Sequence, residues 1–320
     1  MDSLRPVRAI VISALVLAAV ACVAPLIGST PLHWNGDPTE RAILLYARLP
    51  RVILAMLAGG ALALAGVLFQ ALLRDALATP YTLGISSGAS LGAVLAFCFH
   101  FPAVWVASFA GAGLTLLLVL TIAAEGRRMS SFTLLLSGVT INSVAMAMIL
   151  FLQNLATFGE SFAIVRWLMG GLDAVAYSTL GWLAAAIFPA AAFIMMRARD
   201  WNLLAVGEEW AEARGVETSR LMLAGYIAGS LITGAVTAIT GPIGFVGLIV
   251  PHALRLKLGA DHRVLIPCSF LLGAAFLAVC DTVARTILSP VEVPVGVITA
   301  LLGGPFFIWL LRGKRRSLWL

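Results

Sequence analysis

The chain is written as long apolar stretches separated by short polar ones. Ala9 to Ile27 and Ala103 to Ala124 contain no charged residue at all, and a run of about 20 apolar residues crosses a bilayer as a helix. Applied along the whole chain, that length criterion predicts spans near 9–28, 52–73, 81–101, 103–124, 132–155, 177–196, 220–240, 242–256, 264–284 and 294–312. The third and fourth are separated only by His100, Phe101 and Pro102, and the seventh and eighth meet at Gly241-Pro242. Nine or eleven spans therefore stay open beside ten. The predicted fold is all-α, a polytopic membrane protein forming one transmembrane domain over residues 1–320.

Composition removes the soluble alternative. Of the 320 residues, 61% are hydrophobic and 11% charged, against roughly 45–50% and about 25% in a soluble domain. Charge placement then supports the count of ten. With both termini cytoplasmic, the outer face keeps only Arg41, Arg48, Arg51, Arg166 and Arg285 of the 21 Lys and Arg, as the positive-inside rule predicts. The net charge of +6 thus reflects topology and gives no reason to infer nucleic-acid binding. The first apolar run exceeds the typical signal-peptide core of about 7–15 residues, so it reads as a span. Cys22, Cys98, Cys268 and Cys280 form no CxxC or Cys/His pattern, which indicates neither a disulfide framework nor a metal site.

Small residues recur at close helical spacing, among them Gly59, Gly66, Gly88, Gly92, Gly225 and Gly229, and in lipid they let helix backbones approach. Two stretches break the backbone as well. Pro80 with Gly84 is one, and GPIGFVGLIVPHALR at 241–255 is the other. Freed amides at membrane depth must meet protein or a water-filled cavity. In the second stretch, Gly241-Pro242 is expected to be an outer turn, with Gly244 and Gly247 packing closely against neighbouring helices. Ala58-Gly59 and Ala228-Gly229 each open a small-residue helix that leads into one of these breaks, which suggests a five-plus-five inverted repeat. The longest polar stretch, Arg197 to Arg220, separates the sixth and seventh spans. Within it Glu208, Glu209 and Glu212 begin a short polar helix that Gly215 should stop.

Enzyme chemistry finds no convergent residues in the spans, so no catalytic and no metal-binding residue is assigned. Asp281 alone among the acids lies well inside a span, and Arg285 four residues on can pair with it along one helix face. His252 has no second ligand at metal spacing and reads as a packing residue. No glycine-rich phosphate loop ending in Lys-Ser/Thr occurs. Energy from ATP must therefore come from a partner.

These motifs, taken in order, resemble the FecCD-type permease family of type II ABC importers, which take up ferric siderophores, heme and cobalamin. The resemblance is carried by YARLPR at 46–51, AGGALALAGVLFQALL in the second span, TLGISSGASLGA at 82–93 and RWLMGG at 166–171. It continues through GPIGFVGLIVPHALR, GADHRVLIP at 259–267, CDTVART at 280–286 and VPVGVITALLGGPFFIWLL at 293–311. It implies a homodimer in the bacterial inner membrane, two ATPase subunits that bind the ATP and Mg, and one periplasmic substrate-binding protein. It also assigns Arg48, Arg51 and Arg285 to docking of the binding protein, with interfacial snorkelling as the other reading. The loop at about 200–219 becomes the ATPase coupling element, with Glu208, Glu209, Ala211, Arg214 and Gly215 as its contacts. The cytoplasmic gate falls on Asp75, Ala76 and Leu77 and on Ser130, Ser131 and Phe132.

The family commonly has Asn-Pro-Leu-Ala-x-Pro in the first gate turn, where this chain has Asp75-Ala76-Leu77-Ala78-Thr79-Pro80. An Asp can still cap the following turn. An iron chelate such as a ferric siderophore is the expected cargo, with cobalamin and heme open alongside it. An ion-coupled secondary transporter is the reading from another class, and it needs a midplane acid that the chain does not supply.

Overall fold

Proline and glycine set where the helices of this protein begin and stop. The computed structural model describes residues 4–28, 38–123 and 131–313. Helix α1 spans Leu4–Val23 and ends in a single 3-10 turn, Ala24–Leu26. A continuous helical run of 36 residues follows, made of α2 (Pro38–Ala42), a π-helical stretch Ile43–Arg48 and α3 (Leu49–Leu73). Pro50 stands at the start of α3. It has no amide to give the preceding turn, and the helix widens there.

Then come α4 (Ile85–Cys98), α5 (Val104–Ala123), α6 (Ser131–Leu155), α7 (Phe158–Leu168) and α8 (Tyr177–Met196). The short elements α9 (Ala198–Val206) and α10 (Glu208–Glu212) lead into α11 (Thr218–Thr240), α12 (Val246–Leu258), α13 (His262–Ala284) and α14 (Val295–Gly313).

Each of the ten expected spans has a helix, and seven of the described helices are long and apolar enough to cross a membrane. The third and eighth spans need correction. Helix α4 has 14 residues and α12 has 13, so at 1.5 Å per residue each is about 20 Å long, short of the hydrocarbon thickness of about 30 Å. The breakers are responsible. Pro80 and the left-handed Gly84 (φ 76°) delay α4 to Ile85, and Gly241, Pro242 and the left-handed Phe245 (φ 69°) delay α12 to Val246.

Helix α3 is the centre of the molecule. Of its span 83% is buried, against 17% of α1 and 28% each of α5 and α6. It packs on α13, α11, α12, α8 and α9, and two contacts require glycine. A Cβ on Gly59 would stand 2.3 Å from Gly273 O, and one on Gly66 would fall on Gly247 O. Gln70 fastens the second crossing by donating to Gly247 O at 3.2 Å. The two halves exchange contacts in the same way: α3 packs on α12 and α13, and α11 packs on α4 and α5. That exchange is what a five-plus-five repeat produces.

Of the two glycines expected to pack closely, Gly247 does so and Gly244 does not. A Cβ on Gly244 would meet nothing within 4 Å. His252 is buried beside the rings of Phe306 and Phe307, with centroids 6.4 and 5.6 Å away, which agrees with its reading as a packing residue. Helix α7 was not among the ten expected spans, although Thr157 and Glu160 form a capping box at its start, with Thr157 N–H donating to Glu160 Oε2 at 2.7 Å.

Candidate functional site

Beyond α8 the chain turns at Arg197 and folds back at once. Trp201, completely buried, donates from its indole N–H to Ile194 O at 2.9 Å and stacks edge-on against Phe193. This locks the elbow between α8 and α9. Asn202 ties α9 to the start of α13: its Nδ2 donates to Asp261 Oδ1 at 2.8 Å and its Oδ1 accepts the His262 amide at 2.8 Å. Asp261 caps α13 and takes a bidentate contact from Arg263, at 3.1 Å from Nε and 2.8 Å from Nη2. That contact, with further help from Asn202, holds its carboxyl down at about 2.

Gly207 then breaks the chain in extended backbone, and the five-residue α10 follows. Gly215 ends it in the left-handed region (φ 83°), with Val216 N–H donating to Ala211 O and Gly215 N–H to Glu212 O. This is a Schellman closure, and the stop expected at Gly215 is where the helix turns out. The five expected coupling residues divide into two groups. Glu209, Arg214 and Gly215 are exposed. Ala211 is completely buried, and Glu208 is half-buried with its carboxylate against Arg74. The large apolar groups presented beside them are Val206 and Trp210, at 72% and 63% exposure, which the pattern of polar residues did not single out.

The turn after α3 lies against this element. Arg74 closes α3 in a left-handed conformation (φ 53°), and Asp75 Oδ1 accepts the Leu77 amide at 2.8 Å while Ala78 N–H donates to Asp75 O at 3.1 Å. Asp75 therefore does cap the turn. Leu77 and Phe132 are exposed and Ser131 is buried, whereas Ser130 lies outside the described residues. Arg74 Nη2 reaches Glu208 Oε1 at 2.9 Å. Ser131 Oγ lies 3.0 Å from Leu72 O and 3.4 Å from the same Glu208 oxygen, and its one proton serves one of them at a time. The turn after α3, the start of α6 and α10 thus meet at one carboxylate.

The end of the bundle that holds Arg48, Arg51 and Arg285 differs from expectation. Asp281 is fully buried, and its nearest cation is Arg51 of α3, at 2.9–3.2 Å, while Arg285 on its own helix stands at 3.7 Å. The pair expected four residues apart is thus secondary to one across helices. Arg51 also reaches Glu292 at 2.7 Å. Arg48 and Arg285 are only 6% and 4% exposed. Both hold the turn after α1, Arg48 donating to Leu26 O at 3.1 Å and Arg285 to Ala24 O at 2.7 Å. Outward presentation is therefore corrected for these two, because their guanidiniums replace water with backbone carbonyls inside the protein. Near the same side an open groove of about 430 Å³ is lined by Met169, Pro242, Gly244, Phe245, Val297 and Leu301 among others. It is apolar, and the backbone break that ends α11 forms one wall.

Comparison with known proteins agrees with this arrangement. The model of the FecCD transport family matches residues 7–313. An uncharacterized ABC transporter permease protein of Bacillus subtilis is 41% identical over 88% of this chain and 82% of its own length. The hemin transport system permease protein of Yersinia pestis is 38% identical over 89% of this chain and 88% of its own. The cobalamin import system permease protein of Halobacterium salinarum is 40% identical over 89% and 78%. A solved structure described as an inward-facing metal-chelate type ABC transporter superposes with a TM-score of 0.88 at 30% identity, covering 95% of this chain and 98% of that one. Matched by the family model over residues 7–313 and by relatives at 38–41% identity over nearly nine-tenths of its length, the chain belongs to the FecCD transport family.

Proposed function

We propose that this chain is the permease subunit of an ATP-binding cassette importer that carries a metal chelate, most specifically an iron complex such as a ferric siderophore, into the cytoplasm. The observation that carries the reading is the α9–α10 element, which offers Val206, Glu209, Trp210 and Arg214 to the cytoplasm while its base is tied to the gate turn and to α13. A chain without a phosphate-binding loop needs such a surface to receive work from an ATPase. In this reading two copies pair in the bacterial inner membrane with their termini in the cytoplasm. Two ATPase subunits hold the ATP and Mg, and one periplasmic binding protein delivers the cargo. It docks on the outer rim, near the exposed Glu292 and the largely buried Arg51 that pairs with it. The apolar groove at Phe245 and Val297 suits a path that holds a bulky cargo weakly.

A second cargo reading, cobalamin or heme, rests on relatives named for each at 40% and 38% identity. The ion-coupled alternative is weakened by Asp281. Among the described residues it is the fully buried carboxylate, and Arg51 holds it with two oxygens engaged, a poor arrangement for a proton or sodium relay. The test is co-purification with the ATPase, followed by ATPase assay in liposomes with binding protein loaded in turn with ferric siderophore, heme and cobalamin. Stimulation by one cargo identifies it. A permease that never recruits an ATPase subunit refutes the proposal.

A further inference from the structure

Expected as an ATPase contact, Glu208 has its carboxylate turned the other way, toward Arg74 at 2.9 Å and Ser131 at 3.4 Å. We infer that Arg74 and Glu208, with Ser131 as the alternative partner, are positioning residues that carry displacement of α10 to the cytoplasmic gate turn. The inference rests on the importer reading above and adds to it the specific side chains that make the connection.

Three features of the geometry lead to it. First, α10 is a discrete short segment, set off from its neighbours by a glycine at each end. It is five residues long and bounded by Gly207 in extended backbone and Gly215 at φ 83°, with open space around Gly215. Second, the receiving end is stiff. Arg74 is the left-handed residue that ends α3, and Asp75 immediately after it holds the turn through the Leu77 amide, so a pull on the Arg74 guanidinium is a pull on residues 75–78. Third, the link can be remade. The Arg74 and Glu208 side chains are 40% and 30% exposed, and an ion pair that wet contributes little to stability. Glu208 can exchange Arg74 for Ser131, which is itself shared with Leu72 O at the end of α3. A contact that adds little to the fold yet joins α10, the end of α3 and the start of α6 is suited to transmission.

The experiment uses the assembled transporter, permease with its ATPase, and hydrogen exchange with and without Mg-ATP and orthovanadate. In the native complex nucleotide should shift exchange in α10 and in the segment 74–84. With Glu208→Gln or Arg74→Gln, the shift in α10 should persist and the shift in 74–84 should be lost, while thermal stability of the permease stays near native. The exchanged pair Arg74→Glu with Glu208→Arg should restore the gate response. A gate response unaltered by either single variant overturns the inference, and so does a swapped pair that assembles without restoring it. If the single variants fail to assemble, the swapped pair decides alone. A native permease that recruits no ATPase fails the importer reading instead, so the two failures are distinguishable.

Discussion

Asp281, in the last turn of α13, is the fully buried acid among the described residues. Its isolation among apolar residues marked it at once, but spacing pointed to Arg285 on the same helix. The cation that binds it with two oxygens engaged is Arg51, 230 positions away. No local periodicity reports a contact between α3 and α13. Truncating Asp281 leaves the buried Arg285 with no carboxylate and Arg51 with Glu292 alone, so Asp281→Ala should cost about 3 kcal/mol. Glu292→Gln, removing the 43%-exposed outer partner, should cost less than about 1 kcal/mol. Thermal unfolding of the detergent-purified protein separates them, and equal losses would refute the assignment.

Asp261 adds a pH dependence. Arg263 and Asn202 hold its carboxyl near 2, below its ordinary 3.8. Because the folded value is depressed, its stabilisation is complete above 3.8 and is lost as the pH falls toward 2. The side chain is 40% exposed, so solvent screening limits the effect to below about 1 kcal/mol. Between pH 5 and pH 2 the native protein should lose more thermal stability than Asp261→Asn. Identical slopes would show that the cap is not electrostatic.

Helices were the most legible elements, because length and apolarity decide them and both are local. What the pattern overextended were α4 and α12, where it counted apolar residues but not the backbone left non-helical by Pro80, Gly84, Pro242 and Phe245. Such short helices survive because they are buried among long ones rather than facing lipid. The pattern missed α7, whose T-x-x-E capping box was present in the chain. At α10 the stop at Gly215 was legible, and its reason is backbone conformation, since a Cβ there meets nothing. Gly215→Val should therefore act through the left-handed φ alone, costing about 1–3 kcal/mol locally. Amide exchange in 208–216 should rise while exchange in α3 stays unchanged. Protection left intact throughout 208–216 would refute the closure.

For the molecule as a whole, the crossing of α3 with α12 joins the two halves. A Cβ on Gly66 would fall on the carbonyl of Gly247, and backbone yields less readily than a side chain. Gly66→Ala should cost toward the upper end of the about 1–3 kcal/mol of overpacking, with lowered thermal stability. An unshifted melting temperature would mean that the halves are held elsewhere. The outer arginines belong here too. Arg48 and Arg285 grip the turn after α1 from the π-helical stretch before α3 and from the C-cap of α13, so they stand where three parts of the chain converge.

Span length, the bias of Lys and Arg between the two faces and the order of motifs are one-dimensional, and they were enough to establish a ten-helix membrane permease of this family. Desolvation and helix–helix packing act between residues far apart in the chain, and they decided the rest. They buried Arg48 and Arg285, gave Asp281 to Arg51, paired Glu208 with Arg74, and left Trp210 and Val206 exposed. The reason is that the sequence fixes which groups are charged or apolar, while burial and pairing depend on which helices share a boundary.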